Sequence, residues 1–187
     1  MSKEDGLPLS LKQYVLAGQT VCLRPPKPHE LAFVCQLWAD PETMEPVGGP
    51  VEYSEERMHR WFAYMVDPGS TSNCYCLIFN ADDEPVGEVS FHHWDAETKK
   101  ADFNIKVLAI HRRKGYAQDA LRTLLAYFFG SFGGLIMTDE LRLENVGGQR
   151  FIAQCGFEHD PSRTDVHLMR ITKEMFVSQY GAFESKK

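Results

Sequence analysis

The chain has 187 residues, 43% hydrophobic and 25% charged, with a formal net charge of -6. That length and balance suit one soluble globular domain that can bury a core without metal or disulfide staples. The acidic excess argues against nucleic acid as the main partner, because phosphate binding needs a basic surface. The five cysteines (Cys22, Cys35, Cys74, Cys76 and Cys155) form no C-x-x-C pair and read as small buried hydrophobes. Neither a zinc site nor any other metal site is expected. The start, Met1-Ser2-Lys3-Glu4-Asp5, lacks the charged-then-apolar pattern of a signal peptide. No apolar run approaches membrane-spanning length, so no membrane partner is expected and a reducing cytoplasm is the expected setting.

Residues 1–18 read as a leader and 19–187 as a single domain. A short strand at Val21-Cys22-Leu23-Arg24 is closed by Pro25-Pro26. Leu31, Val34, Cys35 and Trp38 then recur at helical spacing, and the helix ends before Pro41. The stretch Pro46-Val47-Gly48-Gly49-Pro50 separates it from a second helix, with Ser54 as N-cap and Glu55 and Glu56 in the first turn. Its apolar stripe is Met58, Trp61, Phe62 and Met65. Strands follow at Cys74 to Phe79, Val86 to Trp94 and Ala101 to Leu108, joined by polar turns as a meander. The strongest helix carries Ala117, Ala120, Leu121, Leu124, Leu125 and Phe128 on one face. Gly133-Gly134 breaks it before a strand from Leu135 to about Leu143. A glycine-weakened helix near Val146 to Gln154 precedes Gly156-Phe157, and a strand (Asp165 to Ile171) and a helix (Lys173 to Tyr180) complete an α/β domain.

The chemistry concentrates where the third strand of the meander runs into the strongest helix, at His111-Arg112-Arg113-Lys114-Gly115-Tyr116-Ala117. Three consecutive cations, a glycine and a helix start make an anion cradle: free N–H groups point outward and the helix dipole favours negative charge. Gly115 permits close approach or positive φ, and Ala117 is small. One helix end contributes only about 0.3–2 kcal/mol to a charge, so cations and several amides must act together. The segment is neither a Walker loop nor a dinucleotide fingerprint.

Arg112-Arg113-Lys114-Gly115-Tyr116-Ala117 fits the pattern Arg/Gln-x-x-Gly-x-Gly/Ala, and a second block follows: Asn145, a short helix, then Gly156-Phe157. On these residues the chain resembles the GNAT superfamily of acyl-coenzyme-A-dependent N-acyltransferases, over roughly residues 20 to 176. Leu23-Arg24-Pro25, Trp38-Ala39-Asp40-Pro41-Glu42 and Val86-Gly87-Glu88-Val89 resemble the branch of ribosomal-protein N-terminal acetyltransferases. The resemblance implies an α/β (α+β) fold with a central, mostly antiparallel mixed sheet of about six or seven strands flanked by helices. It implies acetyl-CoA as cosubstrate and a primary amine as acceptor, either a protein N-terminus or a small molecule. It also implies roles. Ile105 and Val107 would offer backbone hydrogen bonds to the pantetheine on a bulged strand, with an N–H near Val107 polarising the thioester carbonyl. Arg112, Arg113, Lys114, Gly115, Tyr116, Ala117 and Gln118 would wrap the pyrophosphate, and Asn145 would touch the pantetheine.

Transfer by direct attack needs a neutral amine. A lysine-like amine costs roughly 4–5 kcal/mol to deprotonate at pH 7 and an α-amine about 1 kcal/mol. Asp102 is the first candidate for general base, because relatives often carry a glutamate there, and Glu88 is the second. His92, His93 and Glu140 are further candidates. Alternation along a strand sends His92 and His93 to opposite faces. Many relatives place a tyrosine acid where this chain has Ile152, which leaves two readings: a transferase that protonates its thiolate otherwise, or an acetyl-CoA-binding module without turnover. A nucleophilic Cys155 ranks far below a buried thiol. Glu42, Glu45, Glu52 and Asp95 would make an acidic rim suited to a cationic acceptor. Oligomeric state has no signature in the sequence.

Overall fold

The structure, a computed structural model, describes residues 15–181. One mixed sheet of eight strands runs through it in the order β1-β2-β3-β4-β5-β6-β8-β7. The strands are β1 Leu16–Ala17, β2 Cys22–Arg24, β3 Cys74–Phe79, β4 Pro85–Asp95, β5 Lys100–Val107, β6 Ile136–Leu141, β7 Glu158–His159 and β8 His167–Thr172. Every neighbouring pair is antiparallel except β5 with β6. The helices are α1 Leu31–Ala39, α2 Pro41–Met44, α3 Glu55–Met65, α4 Tyr116–Tyr127, α5 Val146–Gln154 and α6 Lys173–Tyr180.

The sheet has eight strands where about six or seven are expected, because β1 and β7 have two residues each, too short for period-two alternation to register. The sheet begins at Leu16, inside the stretch assigned to the leader, and residues 1–14 of that leader lie outside the described residues. What ties this edge down is Asp119 of α4. Its carboxylate accepts from the backbone N–H of Thr20 at 2.6 Å and of Val21 at 3.1 Å. Pro41 opens the short helix α2, and the Asp40 carboxylate caps it by accepting from Thr43 N–H at 2.8 Å.

The sheet separates two apolar layers. On one face Val34, Leu37 and Trp38 of α1 and Met58 of α3 pack on Tyr75, Leu77 and Phe79 of β3. On the other, Leu121, Leu124 and Leu125 of α4 pack with Phe128 on Cys76, Val89 and Phe91. Cys74, Cys76 and Cys155 are buried as expected, but Cys35 is exposed on the outer side of α1 and Cys22 is half-buried. Among the described residues no helix is long and apolar enough to cross a membrane.

The pairing of β4 with β5 runs without interruption from Gly87–Val107 to His92–Asp102, so β5 carries no bulge there. The irregularity lies beyond it, between His92 and Asp95 of β4. Gly87 is required by this close pairing, because a Cβ at that position would stand 2.2 Å from the Lys106 carbonyl oxygen. Gly87→Ala therefore forces β5 outward. The expected loss is about 1–3 kcal/mol, read as a lower midpoint in thermal or urea unfolding.

Candidate active site

The parallel pair in the sheet is brief. β5 and β6 are matched only at Lys100–Ile136, Ala101–Met137 and Asp102–Thr138. Beyond that point β5 stays with β4 and β6 stays with β8, and the sheet opens into a wedge. Leu108 N–H donates to the Val86 carbonyl at 3.0 Å. Given the unbroken register, even-numbered residues of β5 then bond to β4, and the N–H and C=O of Ile105 and Val107 face the wedge. A cleft of about 700 Å³ fills it, walled by β5, by Asp139 to Arg142 at the end of β6 and by Asn145, Phe151 and Ile152 at α5.

The wide end of the wedge leads to the basic loop. Arg113 (φ 63°) and Gly115 (φ 83°) are both left-handed, and the first helical N–H bond runs from Asp119 to the Gly115 carbonyl. The N–H groups of Tyr116, Ala117 and Gln118 therefore have no acceptor within α4, the usual state of a helix start. No atom lies within 4 Å of a Cβ built at Gly115, so glycine is there for its φ and for the open approach it leaves. Arg113 and Lys114 are exposed, and among the described residues neither makes an ion pair. Arg112 differs. Its guanidinium donates to the backbone carbonyls of Glu42 (3.2 Å) and Thr43 (3.1 Å), while Thr43 Oγ1 accepts from Ala109 N–H at 2.9 Å. Arg112 thus fastens the loop to α2.

Asn145 caps α5, its Oδ1 accepting from Gly148 N–H at 2.9 Å, and a Cβ at Gly148 would strike the Asn145 amide at 2.6 Å. The Gly147-Gly148 step that weakens the helix in sequence thus makes room for its cap. The open amides and the wedge-facing backbone of Ile105 and Val107 together fit a pantetheine arm ending in a pyrophosphate.

The candidate bases separate sharply. Glu88 is 3% exposed. Its carboxylate accepts from Trp38 Nε1 at 2.8 Å, from Lys106 Nζ at 2.6 Å and from the Tyr75 hydroxyl. Burial and the adjacent Glu88 charge push the Tyr75 phenol well up. Asp102 lies one strand nearer the wedge and accepts from Thr138 Oγ1 at 2.6 Å. Its other oxygen stands 3.0 Å from His93 Nδ1. Burial raises the Asp102 carboxyl, but the Thr138 hydroxyl and the His93 ring outweigh it and hold the group below its ordinary value.

His92 and His93 do not diverge. His93 has φ 55°, and the two rings meet edge to face 4.6 Å apart on the cleft wall. The irregularity after His92 breaks the alternation that would have parted them. Burial, then the neighbouring His93, lowers the His92 pKa. One ligand atom from each of His92, His93 and Asp102 falls within 4.8 Å of the others, so the metal-free expectation meets, among the described residues, one cluster able to take an ion.

Glu140 is exposed and paired with Arg163 at 3.1 Å. Its neighbour Asp139 is the group that sequence reasoning passes over. Asp139 lines the cleft, and burial, reinforced by Asp102 and Glu140 against the pull of Lys106, raises its carboxyl to about 7. Only its position beside Glu140 at a strand end marks it in the sequence. Ile152 is buried and lines the same cleft. Cys155 is 1% exposed and its thiol is pushed up to about 11 by burial, which disqualifies it as a nucleophile. Of the expected acidic rim, none of Glu42, Glu45, Glu52 and Asp95 lines the cleft. Its carboxylates are Asp102, Asp139 and Glu140.

The model of the acetyltransferase (GNAT) domain family matches residues 20–158. The chain belongs to this family. An uncharacterised N-acetyltransferase p20 of Bacillus licheniformis is 22% identical over 148 residues, 78% of this chain and 83% of that one. Among solved structures, the spermidine N-acetyltransferase of Vibrio cholerae in complex with CoA and spermine superposes with a TM-score of 0.77. It is 17% identical, over 84% of this chain and 98% of its own. A GNAT-family acetyltransferase from Bacillus anthracis superposes at 0.71 with 15% identity, over 86% and 99% of the two chains. This GNAT domain is an acyltransferase of the acetyl-CoA-dependent type, and the wedge is where its fold opens.

The raised Asp139 carboxyl has a consequence for stability. Between about pH 4 and pH 7 the folded state keeps a proton that the unfolded chain has lost, so stability falls as pH rises through that window. Asp139→Asn removes the penalty. The variant is expected to melt like the parent at pH 4 and to exceed it by about 1–3 kcal/mol at pH 8. A difference that does not change with pH would show that the carboxyl titrates normally.

Proposed function

We propose that this GNAT domain transfers the acetyl group of acetyl-CoA directly to a primary amine, a protein N-terminal α-amine or the amine of a small molecule. The observation that carries the reading is the wedge past Asp102 and Thr138, with the backbone of Ile105 and Val107 facing it and open amides at its end. Ile105 and Val107 would bind the pantetheine, and the Val107 N–H would meet negative charge as it develops on the thioester oxygen. Gly115, Tyr116, Ala117 and Gln118 would hold the pyrophosphate by N–H groups, with Arg113 and Lys114 as counter-charges. Arg112 positions the loop rather than facing the anion, and Asn145 sets the start of α5 against the pantetheine.

His93 is the base we assign. Its Nδ1–H donates to Asp102, which leaves Nε2 to take the amine proton, and Asp102 orients and steadies the ring. Asp102 is a positioning residue in this scheme, because a carboxyl held below its ordinary value is a weak base. Glu88, with three donors on its carboxylate, organises α1, β3 and β5 instead. Asp139 stays protonated to near neutrality and is the donor we assign to the departing thiolate in place of the missing tyrosine. The family kinship with ribosomal-protein N-terminal acetyltransferases remains part of the proposal. So does a cytoplasmic setting, which the five unpaired thiols suit.

Calorimetric titration tests the cosubstrate first: acetyl-CoA and CoA should bind in the micromolar range and ATP should not. Arg113→Ala is expected to weaken acetyl-CoA about five- to tenfold, roughly 1–1.4 kcal/mol. Gly115→Glu should weaken it more, since it adds a carboxylate and a side chain at φ 83°. Unchanged affinity in both variants would remove the loop from the site. His93→Ala should cut thiol release at saturating acetyl-CoA by about a hundredfold or more with binding intact, and an undiminished rate would dismiss it as base.

A further inference from the structure

A second, smaller pocket of about 220 Å³ opens from the same face, between the sheet and helices α1 and α3. Trp38, Trp61 and Tyr75 form its aromatic walls, in edge-to-face contact at 4.9 and 4.8 Å, and Tyr64 stands at the lip, 58% exposed. His92 and His93 line both pockets, so this space joins the cleft at the assigned base.

Asn73 lines it too. Asn73 is 2% exposed, and neither its amide nitrogen nor its amide oxygen has a hydrogen-bond partner. An unmade bond on a buried amide is expensive, and this residue leaves both ends unmade. Its position is not accidental. β3 pairs Cys74 with Phe91, so the preceding residue falls beside His92 and shares a face with Tyr75, Ser90 and His92.

The charge in the pocket is already committed. Glu88 is its one carboxylate, and Trp38, Tyr75 and Lys106 occupy it. A second ammonium arriving here would find no free anion. A flat neutral group that gives and takes one hydrogen bond each would instead satisfy both ends of the Asn73 amide between aromatic walls.

We infer that this pocket reads the acceptor, and that the acceptor is an amine carrying a neutral amide close by, such as the first peptide group of a polypeptide or an α-amino amide. The inference rests on the transfer reading above. In it the amine sits at His93 and the amide reaches Asn73 one strand further, about 5 Å away. Polyamines, with charge at each end, are the wrong class for this pocket.

Thiol release from acetyl-CoA should be measured with three acceptors: phenylalaninamide, phenylalanine and spermidine. For the parent protein kcat/KM should be at least about tenfold higher for the amide than for either of the others. Asn73→Leu, which has nearly the same shape, should lose about tenfold or more with the amide, mainly through KM. It should leave acetyl-CoA affinity and the rate with spermidine unchanged. A preference for spermidine, or an equal loss with all three acceptors, would overturn the inference. The parent ranking stands as a test even if the variant fails to fold. Release from none of the three, with acetyl-CoA still bound, would overturn the transfer reading and this inference with it.

Discussion

Past Asp102 and Thr138 the two central strands have different partners, and the cleft owes its existence to that divergence. A continuous sheet would pair the N–H and C=O of Ile105 and Val107 with a neighbour. Here β6 is drawn away by its six-residue ladder to β8, while β5 remains laddered to β4. The last shared rung is reinforced through side chains, with Thr138 Oγ1 donating to Asp102 at 2.6 Å and close to the Ala101 carbonyl at 3.3 Å. The same Asp102 then steadies His93. One aspartate thus closes the apex of the wedge and holds the His93 ring on its wall.

The second constraint is the buried cluster around Glu88. A buried carboxylate is costly unless paired and hydrogen-bonded, and here three donors from α1, β3 and β5 converge on it. The result locks Trp38 and Tyr75 as rigid walls and cancels the local charge beside Lys106. A neutral aromatic pocket and the His92–His93 pair therefore sit side by side without competing for the same ions. The basic loop is secured in a comparable way, through Arg112 on the α2 carbonyls, which leaves Arg113 and Lys114 for the solvent side.

Much of this was legible beforehand. Helix α5 and helix α6 have the bounds that their periodicity implies, and Ser54 caps the helix it precedes. The cation–glycine segment lies between β5 and α4, where the motif required it. These features are local, set by residues a few positions apart, so pattern and propensity suffice to place them. The strands of two residues escaped because two positions hold no period.

The amino-acid sequence by itself determined the family, the loop that offers amides to an anion, and the order of the longer strands and helices, because each is written in short-range spacing. Tertiary structure alone decided the surroundings of the acidic and basic groups. It enclosed Glu88 among donors, raised Asp139 by burial, and turned His93 back to join His92 on the cleft through one left-handed residue. Burial and contact between strands tens of residues apart set these properties, and no local pattern encodes the solvent that a folded neighbour removes.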